Sequence, residues 1–96
     1  MKFVKLSKLK DIDVSVEYLN IDKIVSIEYL GKSKINNISS SELMFSKCSI
    51  LSDKGEDIYL VNENKLLKGI CELVNSTDFI KDLECEEEGI EMYKKQ

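Results

Sequence analysis

Apolar and polar positions follow two different rhythms along this 96-residue chain. Near the start, Val4 and Leu6 share one side of a predicted strand over Phe3 to Ser7, with Lys5 on the other. Ile12, Val14, Val16 and Tyr18 then alternate with Asp13, Ser15 and Glu17. That period of two is the signature of a strand. Asn20 to Lys23 interrupts it, as a tight turn or a single helical turn does. Ile24 to Leu30 is a further β-branched and aromatic run, with Val25, Ile27 and Tyr29 on one face. Gly31 to Glu42 is polar and reads as a long loop. Strand character resumes from Leu43 to Leu51, where a bulge near Lys47 would turn both Phe45 and Cys48 inward. Ser52-Asp53-Lys54-Gly55 is a hairpin turn, and Ile58 to Val61 is its returning strand.

After Asn62 the period changes. Leu66, Leu67, Ile70, Leu73 and Val74 form the apolar stripe of an amphipathic helix. Asn62 or Asn64 caps its start and Asn75 ends it. Burying that stripe on a sheet contributes about 1.5–3 kcal/mol per large side chain. Cys71, beside Ile70, reads as a small, partly buried residue. Ser76-Thr77-Asp78 is a second N-cap signal, and Phe79, Ile80 and Leu83 after it predict a short second helix. It frays where Glu84 and Glu88 repel at i, i+4 spacing, leaving a loose tail from Gly89 to Gln96.

Strands followed by helices predict an α+β domain: four or five antiparallel strands packed against one C-terminal amphipathic helix, with a possible second short helix. The division expected is a sheet-plus-helix domain over residues 1–75 and an acidic helical extension and tail over 76–96.

Composition narrows the chemistry. The chain has 14 lysines but no arginine, histidine, proline, tryptophan or alanine. It therefore lacks an imidazole base or metal ligand, and the bidentate guanidinium fork that recognises carboxylate, phosphate or guanine. Its four glycines form neither a Walker-type nor a dinucleotide-binding sequence. Glu84 to Glu88 lacks the ligand spacing of a calcium loop. Asp11 and Asp13 share a strand face without a sign of tuned protonation. A serine–lysine pair is the remaining nucleophilic option, and only geometry could reveal one. A non-enzymatic protein is expected, with no cofactor and no metal. Cys48, Cys71 and Cys85 are odd in number and widely spaced, which predicts reduced thiols and a cytoplasmic location. No apolar run approaches the ~20 residues that span a bilayer, so no membrane association is expected.

Net charge is −4, unevenly spread. Lys2, Lys5, Lys8 and Lys10 crowd the first ten residues. Asp82, Glu84, Glu86, Glu87, Glu88 and Glu91 crowd residues 82–91. Such runs are usually solvated faces. The sharper reading is an interaction tail, or head-to-tail attraction between protomers. Met92 and Tyr93 are then free to dock on another chain. Lysine used to the exclusion of arginine, with eleven isoleucines and six asparagines, points to AT-rich coding DNA, such as that of a low-GC bacterium or its phages.

Leu19-Asn20-Ile21-Asp22-Lys23-Ile24-Val25-Ser26-Ile27-Glu28, and the hairpin Ser52 to Glu56 with Ile58-Tyr59-Leu60-Val61 before a single helix, resemble the FlbD-like small flagellar proteins and short phage hypothetical proteins. The likeness covers Lys2 to Asn75. It implies a few antiparallel strands closed by a helix, with no catalytic residues to carry over. The Gly31–Glu42 loop and the Ser76–Gln96 extension depart from that pattern.

The function expected is an intracellular binding module, a phage or mobile-element accessory protein acting on a protein partner as an inhibitor or a self-associating scaffold. Edge strands, Lys2, Lys5, Lys8, Lys10, Glu84, Glu86, Glu87, Glu88, Met92 and Tyr93 are its candidate interaction sites. The alternative is sequestration of a small anionic ligand, such as a signalling nucleotide, or of nucleic acid. The N-terminal lysines would carry it, with Phe3 or Tyr18 as stacking surfaces. The acidic balance, with a pI near 4.9, weighs against nucleic acid.

Overall fold

The computed structural model describes residues 1–35 and 43–94. Its elements are β1 (Phe3–Lys10), β2 (Asp13–Asn20), β3 (Ile24–Ser33), β4 (Phe45–Ser52), β5 (Gly55–Tyr59), α1 (Glu63–Val74) and β6 (Ile80–Asp82), with 3₁₀ turns at Ile21–Lys23 and Ile90–Met92. The fold is α+β. The strand order is β2-β1-β5-β4-β3, all antiparallel, and β6 adds in parallel to β1.

β2 and β3 are the two edges of the five-strand path, yet only Ile21–Lys23 joins them. Five flat strands would hold their edges about 19 Å apart. The chain from Asn20 to Ile24 reaches at most ~14 Å. The sheet must therefore curl until its edges approach at that end. Leu19 of β2 and Ile24 and Ile27 of β3 accordingly meet in one cluster, with Val4, Leu6, Cys48, Ile50 and Tyr59. Leu66, Ile70 and Leu73 of α1 pack into this concave face, as the helical stripe predicts. The side-chain oxygen of Asn62 accepts from Asn64 N–H and starts the helix.

Beyond α1 the chain departs from expectation. Residues 80–82 form a strand where a short second helix was expected. The reason lies in β1. Its edge is paired by β5 only at Lys8 and Leu9, which leaves the groups of Phe3 to Lys5 open. β6 fills that gap: Phe3 N–H donates to Phe79 carbonyl at 2.8 Å and Leu83 N–H to Lys5 carbonyl at 2.9 Å. Closing those backbone groups outweighs a weak helical signal burdened by like charges. The Ser76 signal is real but local, since its hydroxyl accepts from Asp78 N–H at 3.1 Å and no helix follows. The helix is thus followed by further structure and is not the last element.

The expected loose tail is also corrected over residues 89–94. Cys85 and Ile90 are buried with Val14, Phe45 and Leu60 in a second cluster, on the convex face of the sheet. Tyr93 stands edge-on to Phe45, with ring centroids 6.0 Å apart. Gly89 adopts φ 86°, and a β-carbon there would collide with Leu43. Residues 95 and 96 lie outside the described residues, as do 36–42 of the expected loop. The rest of that loop differs, because β3 continues to Ser33. The bulge falls on β3 between Tyr29 and Gly31, opposite Cys48 and Lys47. Phe45 and Cys48 are both buried because they face opposite cores.

Candidate functional site

The N-terminal lysines, first candidates for contact with a partner, are largely engaged within the chain. Lys2 Nζ donates to the carbonyls of Leu73 and Ser76, each at 2.6 Å. It thereby closes the carbonyl end of α1, where the helix dipole favours a cation. Lys5 pairs with Glu84 at 2.7 Å, and this hydrogen bond raises the lysine pKa. The oppositely charged ends meet each other in one chain through this pair. Lys8 lies between Glu17 at 3.1 Å and Asp57 at 3.5 Å, and the Glu17 hydrogen bond raises its pKa too. Tyr59, buried next to them, has its phenol pKa raised by burial and then by Glu17 and Asp57. Lys10 stands apart, with Asp11, Asp13 and Ser15 around an open hollow of about 300 Å³.

On the acidic side, Glu84 is consumed by Lys5, whereas Glu86, Glu87 and Glu88 are exposed. They have no ion pair among the described residues. Met92 is 71% exposed, and Tyr93 is half-buried on Phe45 and anchors the chain beside β2.

Two of the three thiols are buried, which disfavours the thiolate. Burial pushes Cys48 up to about 11 and also raises Cys85. Cys71 is exposed on α1. No helix among the described residues is long and apolar enough to cross a membrane.

Among the described residues, the edge of β2 beyond Val14 is the most open stretch of the sheet. Val14 N–H points away from β1, because it donates to Tyr93 carbonyl at 2.8 Å. By alternation the backbone groups of Val16 and Tyr18 point the same way. No backbone partner meets them among the described residues. Their side chains lie on the convex face, 50% and 48% exposed. Lys5 stands opposite Tyr18 in the β1 register, and half-buried Phe3 and exposed Ile80 continue the apolar surface beyond it. The other edge, β3, is broken by two register shifts and carries Lys32. Bulges and lysines blunt an edge against pairing. β2 has an unbroken register with β1 and contains neither lysine nor proline.

Sequence reasoning pointed to edge strands without saying which. Val16 and Tyr18 share the period of buried Val14, so their exposure was hidden in the pattern. The missing signal was the C-terminal segment, which among the described residues pairs with β2 at Val14.

No family model, no curated protein and no solved structure matches this chain.

Proposed function

We propose that this chain is a non-enzymatic binding module that associates with another protein through the open edge of β2 and the apolar surface beside it. One observation carries this reading: half-exposed Val16 and Tyr18 flank backbone donors and acceptors that have no partner among the described residues. Such an edge favours addition of a strand, with main-chain hydrogen bonds for affinity and side chains for specificity. A cytoplasmic location and an accessory role in a phage or mobile element go with this reading, on the strength of the reduced thiols and the residue usage.

The lysine-based alternative is less well supported. An anionic ligand or nucleic acid held by the N-terminal lysines would have to draw Lys2, Lys5 and Lys8 from acceptors they already hold.

The test is a comparison of variants in a pull-down from a low-GC bacterial lysate. The double variant Val16→Lys with Tyr18→Lys places charge on the edge and leaves the core untouched. It should keep the circular dichroism spectrum and lose the proteins captured by the wild type. Val25→Lys, at an exposed position on β3, should keep them. Equal capture by the double variant contradicts the reading.

A further inference from the structure

The two flanks of α1 have different surroundings. On one, Gly69 lies against Leu83 and Glu72 pairs with Lys81 at 2.9 Å, so β6 and the residue after it close that side. About 160° round the helix, Leu67, Cys71 and Val74 follow one another in a line, four and then three positions apart. Leu67 and Val74 are 45% and 56% exposed, and Cys71 is exposed between them. The segments outside the described residues start from elsewhere: Ile35 and Leu43 pack on the convex face, and Lys94 bridges Val14.

The line carries no charge in a chain that is 33% charged, and the cores of protein interfaces are depleted of charge in the same way. It therefore offers no charge by which to select a foreign partner. It does match itself. In an antiparallel pair of helices with a twofold axis between Ile70 and Cys71, each Leu67 meets Val74 of the other copy. The two Cys71 side chains then lie next to each other across the axis. Lys68 of one helix falls within a turn of Asn75 of the other. Lys68 makes no hydrogen bond among the described residues. The Asn75 side-chain amide donates to Cys71 carbonyl at 2.9 Å, and its oxygen accepts no bond among the described residues, so it is open to that ammonium.

We infer that this flank of α1 is where a second copy of the chain docks, with the two helices antiparallel and Leu67 packed on Val74. The inference goes beyond the protein-binding reading and uses a different surface from the β2 edge. A contact between two short helices is at the low end of specific interfaces, so the dimer fills at roughly 0.1–1 mM protein.

The test is the mass of the full chain in reducing buffer, followed by sedimentation up to about 1 mM. The wild type should move from 11.0 kDa towards twice that value. The double variant Leu67→Lys with Val74→Lys changes only exposed positions. It should keep the circular dichroism spectrum and dimerise at least about tenfold more weakly. A short bis-maleimide should link two wild-type copies through Cys71, and Cys71→Ser should abolish the linked species. A single mass for the wild type across the whole range overturns the inference. So does a dimer that the double variant leaves unchanged, because the contact then lies elsewhere. If the wild type stays single and the double variant loses a protein captured from the lysate, the flank belongs to a foreign partner and the inference is overturned. None of these results decides the β2 reading, which stands or falls with Val16→Lys and Tyr18→Lys in the pull-down.

Discussion

Single residues carry several of the long-range ties in this fold. Lys2 is the clearest, since one ammonium closes two carbonyls at the end of α1, more than seventy positions away in sequence. Replacing it with methionine keeps the aliphatic stem and removes the charge. The expected cost is about 1–2 kcal/mol, read as a lower midpoint in urea unfolding. An unchanged midpoint would mean that water serves those carbonyls equally well. The N-terminal lysine run suggested a binding patch because spacing alone cannot reveal that Lys2 faces a helix end or that Lys5 faces Glu84. Cys48 makes a pH prediction. Unfolding lets its thiol ionise near the usual 9.0, whereas the folded protein holds the proton to about 11. The unfolded chain binds fewer protons across that window, so stability falls as pH rises through it, by about 2–3 kcal/mol. Tyr59, also raised, adds to the loss above its usual 10.0. Urea midpoints measured on either side of the window should show this decline, and Cys48→Ala should flatten its lower part.

At the scale of elements, the helix was legible and the last strand was not. Leu66, Ile70 and Leu73 announce α1 because a helix buries a stripe whatever lies beneath it. β6 has three residues, and its reason to exist is the open edge of β1. No pattern within residues 80–82 contains that information. The hairpin around Gly55 was legible for the opposite reason: a positive φ at a turn is a local demand that glycine meets by itself. Gly69 shows how tightly α1 and the segment after β6 are fitted. A β-carbon there would stand 2.7 Å from Leu83 Cδ1. Alanine is the better helix former by about 1 kcal/mol. Gly69→Ala should nonetheless destabilise the protein by about 1–3 kcal/mol, because buried Leu83 must be displaced by the added methyl. Combining it with Leu83→Ala should cost less than the sum of the two single changes. Additive costs in a double-mutant cycle would refute this contact.

For the whole molecule, the main consequence is that one sheet has two covered faces. α1 and Leu83 fill the concave side, and residues 85–93 fold over part of the convex side. Ile90, 3% exposed, holds that second layer down. Ile90→Ala should cost about 2–4 kcal/mol in chemical denaturation and expose the β2 edge further along its length. The α+β class could be read from the change of rhythm near Asn62. The second core could not, because its members come from residues as distant as Leu9 and Tyr93 and from a segment whose glutamates suggested solvent. Among the described residues, backbone pairing along this edge reaches Val14, and the proposed binding surface lies beyond it. Residue-resolved amide hydrogen exchange along β2 tests this most directly. Val14, Ser15, Glu17 and Leu19 should exchange slowly, held by Tyr93 or by β1, while Val16 and Tyr18 exchange fast. Uniform slow exchange from Val14 to Leu19 in the isolated chain would contradict the account, because the edge would then already be filled.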